Sequence, residues 1–469
     1  MSAVVDSLTL LIRLGYTFTD DIGTTDAGPI HLHRNRWICP LDTASLITLY
    51  VLAGLVIGQG VLVVWFTCAL WRWKRPLLAD AAAPPAAIIL CLRGSDPFLS
   101  DCLAGLSRQD YPNFQLHVII DHPEDEARDT LDAFVQRCAG ASDEAVRRFT
   151  DRLVVHFLAT PLETCSLKCS SLLQVVETLD PEIQFIAQLD ADAVPHPTWL
   201  RELATALQDD QVGAATGNRW YMPATPSLTA LIRYTWNAAA VVQMFSYRIP
   251  WGGTLAVKTR LLRDDDDLLN KWQHSFCEDT PLFSYLKSKR LRVAFVPSLL
   301  MTNREDCTLG GFFHWVKRQL LTARLHHPAW PAVVGHGVVT TVVPLFAIGL
   351  FVAAVWQRDA AVRFYAGAGV IGYGIGILGL LIPMEVAARR IVRGRGQDAS
   401  WTSMFDLAKI AVAVPLTTLV YAVALTSACT MKRTVWRGIE YEIRSGKRVR
   451  MLGYHPYVPP AQIEQPVSL

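Results

Sequence analysis

The chain has 469 residues, more than a single ordinary core accommodates, so roughly two or three structural units are expected. Hydrophobic residues make up 51% of the sequence, a high fraction for a soluble protein, and the net charge of +2 gives no reason to expect a nucleic-acid partner. The ten cysteines include no Cys-x-x-Cys pair, which argues against a disulfide or zinc framework and predicts reduced, mostly buried thiols.

The first predicted element is a transmembrane helix at residues 44–71, behind an N-terminal extension at residues 1–43. No charged residue lies between Asp42 and Arg72, and an apolar segment of this length spans a bilayer. Basic residues follow the helix directly, so the positive-inside bias places the next part of the chain in the cytoplasm. A linker at residues 72–85 leads into that part.

Residues 86–305 are predicted to form an α/β domain with a mostly parallel sheet. Apolar runs typical of buried strands alternate there with helical stretches, at residues 86–92, 116–120, 153–158 and 185–189. This alternation favours parallel strands that are joined by helices. A nicotinamide-binding fold would show Gly-x-Gly-x-x-Gly after the first strand, but only Gly94 is present there, which argues against a dehydrogenase.

Two carboxylates one residue apart, Asp190 and Asp192, come directly after the fourth apolar run. This position brings both acids to the carboxyl edge of the sheet, where α/β folds bind ligands. A turn that begins at Asp190 directs both carboxylates towards one cation, and hard oxygen ligands suit Mg²⁺ or Mn²⁺ bridging a diphosphate. The structural alternative is a simple turn at the end of a strand, because aspartate is common in turns.

Two later segments of the same block carry further candidate residues. Trp251 is followed by Gly252 and Gly253, and paired glycines let a backbone approach a ligand closely, although they also form tight turns. Glu278 and Asp279 come just before a helical stretch. Acidic residues are usual at a helix N-terminus, so this pair also has a purely structural explanation.

Residues 306–331 are expected to lie in the membrane interface, because aromatic residues alternate there with Lys317, Arg318 and Arg324. The C-terminal membrane region, residues 332–430, contains three further apolar segments, at residues 332–356, 364–384 and 407–429. A cluster of four arginines between positions 389 and 395 follows the second of these segments. The positive-inside bias therefore places that loop in the cytoplasm as well.

The last apolar segment is expected to be broken at Pro415 and to be re-entrant or interfacial. Three full spans after the α/β domain would put the tail, residues 431–469, on the outer side. Seven basic residues in the tail argue instead for the cytoplasm: Lys432, Arg433, Arg437, Arg444, Lys447, Arg448 and Arg450.

The order of these motifs resembles that of a known family. Asp121 after the second strand, Lys168, the Asp190–Asp192 pair, the Glu278–Asp279 pair and Trp315-Val316-Lys317-Arg318-Gln319 occur in the order of the membrane-bound, inverting GT-A glycosyltransferases, which include cellulose and hyaluronan synthases. A closer resemblance is to ceramide glucosyltransferases and related bacterial lipid glycosyltransferases, because of the single N-terminal span and the tail segment at residues 434–441. Of the family pattern Gln/Arg-x-x-Arg-Trp, only Arg318 fits.

The resemblance implies a Rossmann-like GT-A domain on the cytoplasmic face and a role for each motif. Asp279 would be the general base, with Glu278 beside it. Asp192 would be the metal ligand, and Asp190 would contact either the ribose or the same Mg²⁺ or Mn²⁺ ion. Donor contacts would come from Asp121, Lys168, Asp190, Arg318, Trp315 and Gln319, and acceptor contacts from Trp251, Gly252 and Gly253. The structural alternative for Lys168 is a solvated charge on the protein surface. The structural alternative for Arg318 is an interfacial arginine that contacts lipid headgroups.

The expected function is transfer of a hexose from a nucleotide sugar, with UDP as the expected nucleotide, to the hydroxyl group of a membrane lipid. The protein would be an integral membrane enzyme, as in a bacterial inner membrane, with inversion at the anomeric carbon. A processive polysaccharide synthase is the alternative with the same chemistry, but few spans are available to enclose a polymer channel. A transporter or receptor would need ionisable residues inside its spans. Apart from Lys409, Glu385 and Arg363 near the span ends, the spans contain almost none.

Overall fold

The protein's computed structural model describes residues 40–72, 76–140, 142, 144–147, 149–264, 266–399 and 404–458. The N-terminal extension expected at residues 1–43 lies almost entirely outside these described residues. The described chain forms an α/β domain, a group of long apolar helices and a small C-terminal sheet.

Seven strands form the central sheet of the α/β domain: β1 (Ala86–Leu92), β2 (Phe114–Ile120), β3 (Leu153–Phe157), β4 (Phe185–Leu189), β5 (Val212–Tyr221), β6 (Thr254–Lys258) and β7 (Arg292–Asn303). Their order in the sheet is β3-β2-β1-β4-β6-β5-β7. Strand β6 runs antiparallel to β4 and β5, and all other neighbouring strands are parallel. The predicted α/β fold with a mostly parallel sheet is therefore confirmed.

The pairing register aligns the carboxyl ends of three central strands. Leu92, the last residue of β1, pairs with Ile120 at the end of β2, and Leu90 pairs with Leu189 at the end of β4. The residues that follow β1, β2 and β4 therefore meet at one edge of the sheet. This is the edge at which open α/β sheets bind ligands.

The sequence analysis did not predict strand β6. Its five residues are almost completely buried, so they lack the alternation that identifies a half-exposed strand, and the run is too short for a confident assignment. The strand begins directly after Gly253 and pairs Thr254 with Leu189. Its antiparallel direction therefore brings the glycine pair to the same edge as the carboxyl end of β4.

The helices, in chain order, are α1 (Pro40–Arg72), α2 (Leu99–Ser107), α3 (Glu126–Ala139), α4 (Glu144–Arg147), α5 (Leu167–Glu177), α6 (Trp199–Leu207), α7 (Leu228–Tyr247), α8 (Arg260–Arg263), α9 (Asp267–Trp272), α10 (Pro281–Ser288), α11 (Leu309–His326), α12 (Trp330–Gln357), α13 (Ala360–Gly394) and α14 (Met404–Thr430). Side-chain caps fix several of their starts: Asp125 accepts a hydrogen bond from the N–H of Ala127 at α3, and Ser166 accepts one from the N–H of Cys169 at α5.

Two buried apolar clusters cover the two faces of the sheet. Helices α2, α3 and α6 pack on one face, around residues such as Leu103 and Trp199. Helices α5, α9 and α10 pack on the other face, around residues such as Leu172 and Trp272. Burial on both faces explains why the strands are continuous apolar runs and do not alternate.

Four helices, α1, α12, α13 and most of α14, are long and apolar enough to cross a membrane, by length and composition. Helix α13 packs along α1 and α12. The expected break at Pro415 is absent, because α14 continues through this proline as one helix. Pro344 and Pro383 likewise lie inside α12 and α13.

Helix α14 packs mainly along α7 and α11, which both adjoin the α/β domain. Near its start, Lys409 Nζ donates a hydrogen bond to Pro226 O over 3.3 Å. At its end, Arg324 Nη1 of α11 donates to Ala428 O over 2.6 Å. Both ends of α14 therefore contact elements adjoining the α/β domain.

The tail forms a second sheet, which the sequence analysis did not predict. Strands β8 (Arg433–Trp436), β9 (Ile439–Ile443) and β10 (Val449–Met451) are antiparallel, and their apolar residues are buried against α5 and α9. The N–H of Leu167 donates to Tyr441 Oη over 3.2 Å, and the N–H of Met451 donates to Glu163 O over 2.7 Å. The C-terminal sheet is therefore packed directly on the α/β domain.

Candidate active site

A polar cavity of about 180 Å³ lies at the carboxyl edge of the central sheet, between the α/β domain, α11 and the C-terminal sheet. All residues predicted from the sequence as site residues line it: Asp121, Lys168, Asp190, Asp192, Trp251, Gly252, Gly253, Glu278, Asp279, Trp315, Arg318 and Gln319. The structure thus brings the predicted residues together, while the role of each remains a prediction.

The paired carboxylates after β4 face a common cation. Arg219 Nη2 lies 2.8 Å from Asp192 Oδ2 and 3.6 Å from Asp190 Oδ2. Burial raises the pKa of Asp192 to about 7, although Arg219 opposes the shift. Burial alone would also raise the pKa of Asp190, but Lys168 and Arg219 together lower it. Arg219 was not predicted, because nothing in the sequence of β5 distinguishes it from an ordinary strand residue.

This arrangement fits a divalent cation. Asp190 and Asp192 converge on the guanidinium of Arg219, so the two carboxylates can share one positive centre. Mg²⁺ is usually held by one or two carboxylates together with substrate phosphates and water. The described residues contain no group of three or more His, Cys, Asp or Glu side chains that could hold an ion.

Lys168 is part of the site and is not a solvated surface charge. Its Nζ lies 2.7 Å from Asp190 Oδ1 and 2.7 Å from Glu278 Oε1, and its side chain is 15% exposed. Burial would lower the pKa of Lys168, but the two carboxylates outweigh burial and raise it. The ammonium group therefore links the carboxylate pair after β4 to the acidic pair before α10.

In the acidic pair before α10, Lys168 holds Glu278 and backbone donors hold Asp279. Asp279 Oδ2 accepts from the N–H of Gly252 over 2.9 Å, and its Oδ1 accepts from the N–H of Thr280 over 2.5 Å. Burial raises the pKa of Asp279, and these backbone N–H groups oppose that shift. Burial likewise raises the pKa of Glu278 to about 7, against the effect of Lys168.

Gly252 and Gly253 lie where there is no room for a side chain. A Cβ atom at Gly252 would overlap the carboxylate of Glu278, and one at Gly253 would overlap the ring of Trp251. Both backbones therefore approach their neighbours more closely than any other residue allows. The glycine pair packs Trp251 and the acidic pair into one compact wall of the cavity.

Helix α11 contributes four residues at the spacing of one helical face, Trp315, Arg318, Gln319 and Thr322. The guanidinium of Arg318 lies over the ring of Trp436, 5.1 Å from its centroid. Burial, followed by the charge of Arg437, lowers the pKa of Arg318 to about 10. No carboxylate among the described residues lies within ion-pair distance of Arg318, so the cavity contains an arginine suited to an external anion.

Asp121 lies at the far end of the cavity, in an ion pair with Arg93. Its Oδ1 is buried and has no hydrogen-bond partner among the described residues. Burial raises the pKa of Asp121, although Arg93 opposes the shift. Arg93 was not assigned a role in the sequence analysis, although its position directly after β1 is a usable signal.

A second cavity of about 270 Å³ adjoins the polar one. It lies among α1, α7 and α11 to α14, and most of its lining is apolar. The two cavities share Arg219, Trp251, Asp279, Trp315, Gln319 and Thr322. Polar side chains also line it, and Gln243 and His336 are joined there by a hydrogen bond of 3.0 Å.

The family model described as Glycosyl transferase family 21 matches residues 48–449. No curated protein sequence matches the chain. Among solved structures, the mannosyltransferase PcManGT from Pyrobaculum calidifontis, in complex with GDP-Man and Mn²⁺, is 15% identical with a TM-score of 0.43, covering 83% of this chain and 99% of that chain. Glucosyl-3-phosphoglycerate synthase from Mycobacterium tuberculosis is 13% identical with a TM-score of 0.34, covering 53% and 84%.

Proposed function

Because the chain belongs to glycosyl transferase family 21, we propose that it transfers a hexose from a UDP-sugar to the hydroxyl group of a membrane lipid and releases UDP. One observation carries this proposal: the polar cavity meets the apolar cavity at Asp279 and Trp251. A water-soluble donor and a lipid acceptor can therefore reach one carboxylate from opposite sides. Such a junction is what transfer between an aqueous and a membrane substrate requires.

The donor would bind along the carboxyl edge of the sheet. The unpaired Oδ1 of Asp121 is available to accept a hydrogen bond from the base N–H. Arg318 is suited to the diphosphate, because guanidinium groups bind phosphate oxygens through paired hydrogen bonds. Asp190 and Asp192 would hold Mg²⁺ or Mn²⁺, which supplies charge stabilisation to the leaving diphosphate.

The acceptor hydroxyl would lose its proton to Asp279. The new bond joins the acceptor oxygen to C1 of the sugar, the bond from C1 to the diphosphate oxygen breaks, and the configuration at C1 inverts. The raised pKa of Asp279 makes this carboxylate a stronger base than an ordinary aspartate. Hydrogen bonds from Gly252 and Thr280 fix its orientation, and Glu278 is held beside it by Lys168.

In the proposed topology, α1, α12 and α13 cross the membrane and α14 lies in the interface. The contacts of Lys409 with Pro226 and of Arg324 with Ala428 support this arrangement, because they join both ends of α14 to the domain side. The packing of the C-terminal sheet on the α/β domain supports it as well. The arginines after α1 and within the last turns of α13 support a cytoplasmic location for that side, which in a bacterium is the inner face of the inner membrane.

The processive synthase is the less favoured alternative. A synthase needs a passage for a hydrophilic polymer beyond the acceptor site. The surface of the second cavity is instead mostly apolar, and Leu62, Val241, Leu320 and Leu380 contribute to it. This lining suits hydrocarbon chains.

Mass spectrometry of reaction products tests the proposal. The full-length protein in nanodiscs would be incubated with a panel of nucleotide sugars and with extracted membrane lipids. We expect one lipid class to gain the mass of a single hexose, and Asp279→Asn to abolish the product. Carbohydrate chains of increasing length would indicate the synthase, and no consumption of any nucleotide sugar would refute the proposed function.

A further inference from the structure

The turn between β8 and β9 reaches the polar cavity, although it belongs to the tail and not to the α/β domain. Trp436 and Arg437 both line the cavity, beside Arg318 of α11. The segment that carries them follows the last long helix, α14, and returns to the domain edge. The sequence analysis noted this segment only as part of a family resemblance and gave it no role.

The backbone of this turn gives no reason for an arginine at its tip. Arg437 and Gly438 have φ angles of 49° and 81°, and the flanking residues Trp436 and Ile439 pair across the hairpin. Two-residue turns of this kind favour Asn, Asp or Gly at the first position, because other residues rarely adopt positive φ. An arginine here is conformationally unfavourable, which points to a function of its side chain.

The Arg437 side chain is held at the cavity wall by contacts with the domain. Its Nη2 donates to Asp96 Oδ2 over 3.0 Å, and Asp96 is almost completely buried. Its carbonyl oxygen accepts from Arg93 Nε over 2.8 Å, and Arg93 in turn pairs with Asp121. The turn is thus joined to the end of the cavity at which the base would bind.

Two arginines, Arg318 and Arg437, line this part of the cavity. The charge of Arg437 is the main electrostatic influence, after burial, on the neighbouring Arg318. The ring of Trp436 lies under Arg318 and fixes its position. Like charges in a buried site repel each other, and an anion that binds both removes this repulsion.

We propose that Arg437 binds the donor diphosphate together with Arg318, and that Trp436 positions Arg318 for this contact. The inference rests on the proposed function, because it assigns further residues to the same donor site. It makes the C-terminal sheet a part of the catalytic site that the α/β domain alone does not provide.

Arg437 could alternatively serve only to attach the C-terminal sheet to the domain. Other contacts, however, already attach the C-terminal sheet to the domain. Ile439, Tyr441, Val449 and Met451 are buried in the domain core, and the bonds of Tyr441 and Met451 to the α5 side are independent of Arg437. Replacing Arg437 should therefore leave the sheet in place and the protein folded.

The test compares ligands that differ only in their phosphates. Binding of uridine, UMP and UDP would be measured by calorimetry on the full-length protein in nanodiscs with Mg²⁺, for the wild type, Arg437→Met, Arg437→Lys and Trp436→Leu. Arg433→Met is the matched control, because Arg433 lies on the same hairpin but is exposed and pairs with Glu440. Thermal unfolding of each variant would be recorded in parallel.

We expect Arg437→Met to weaken UDP binding about tenfold or more, as the loss of a charge-assisted hydrogen bond implies, and to leave uridine binding nearly unchanged. Arg437→Lys should bind UDP more tightly than Arg437→Met, because it keeps the positive charge. Trp436→Leu should weaken UDP binding but not uridine binding. The control Arg433→Met should bind both ligands like the wild type. Equal UDP binding by wild type and Arg437→Met, or an equal loss for uridine and UDP, would overturn the inference while donor binding itself stands. If the wild type binds no nucleoside diphosphate, the proposed function fails and the inference fails with it.

Discussion

Lys168 shows how single residues stabilise a dense group of buried charges. One ammonium group compensates two carboxylates, Asp190 and Glu278, at 2.7 Å each. A buried carboxylate without a partner is costly, so this lysine keeps Asp190 ionised next to Asp192. The metal-binding and catalytic acids proposed here are therefore connected through one side chain. Replacement of any member of this group should affect its neighbours.

The first prediction concerns the proposed base. Asp279→Asn preserves the shape of the side chain but removes the proton acceptor, so we expect kcat to fall by about 10²–10⁴-fold with unchanged UDP affinity. Initial rates and UDP binding would be measured on the same nanodisc samples. Near-normal turnover of Asp279→Asn would identify Asp279 as a helix-capping residue.

The pH profile gives a second readout for the same residue. The pKa of Asp279 is raised, so protonation should inactivate the base at a pH above the usual aspartate range. Activity should therefore decline as the pH falls through this raised pKa and recover as the pH rises. The residual activity of Asp279→Asn should lack this acidic limb, and an identical limb in the variant would assign the titration to another group.

The next prediction concerns the divalent cation. Asp192→Ala removes one of the two carboxylates that converge on Arg219, so donor turnover should fall by orders of magnitude and UDP affinity should fall with it. The wild type should require Mg²⁺ or Mn²⁺ and lose activity in EDTA, with recovery after the cation is restored. Undiminished turnover in excess EDTA would remove the metal role from both aspartates.

The next prediction tests the close packing between Gly252 and the Glu278 carboxylate in the cavity wall. A Cβ at Gly252 would overlap the Glu278 carboxylate, so Gly252→Ala should displace the acidic pair and lower kcat/KM roughly tenfold or more. Gly310→Ala is the control, because nothing lies near its added Cβ. Equal activity of both variants would show that the acidic pair tolerates displacement.

At the scale of elements, the local sequence pattern predicted those strands that are continuous apolar runs. Strands β1, β2 and β4 are apolar runs that end at polar residues, and the sequence placed Asp121, Asp190 and Asp192 correctly at their ends. Strands β6 and β7 and the role of Arg219 were missed, because their positions depend on pairing with distant strands. The C-terminal sheet was missed because its short strands are buried only against the domain. Long-range packing leaves no periodic signal in such segments.

Helix α14 supplies the prediction that belongs to this scale. Both of its ends contact the domain side, so we expect it not to cross the bilayer. A reporter fused after Leu469 should then lie on the same side as one inserted at Asp143, which the positive-inside bias assigns to the cytoplasm. Reporters on opposite sides of the membrane would show that α14 spans it.

At the scale of the whole molecule, the site is assembled from parts that are distant in the sequence. The α/β domain provides the carboxylates, α11 provides Arg318, the C-terminal sheet provides Trp436, and the long helices enclose the second cavity. Composition and hydropathy predicted the membrane helices and the domain separately. They could not predict how these parts meet, because the junction exists only in the folded chain.

The last prediction tests this junction. Thr340 of α12 lines the apolar cavity, whereas the adjacent Val339 is exposed on the outer side of the same helix. A bulky indole at position 340 would fill space that the lipid chains are proposed to occupy. Thr340→Trp should therefore lower kcat/KM for the lipid acceptor by about tenfold or more without changing UDP affinity. Val339→Trp should leave both quantities near their wild-type values, since its side chain faces away from the cavity. Normal lipid turnover in Thr340→Trp would show that the acceptor enters by another route. A loss of UDP affinity as large as the loss of lipid turnover would show that the substitution disturbs the fold.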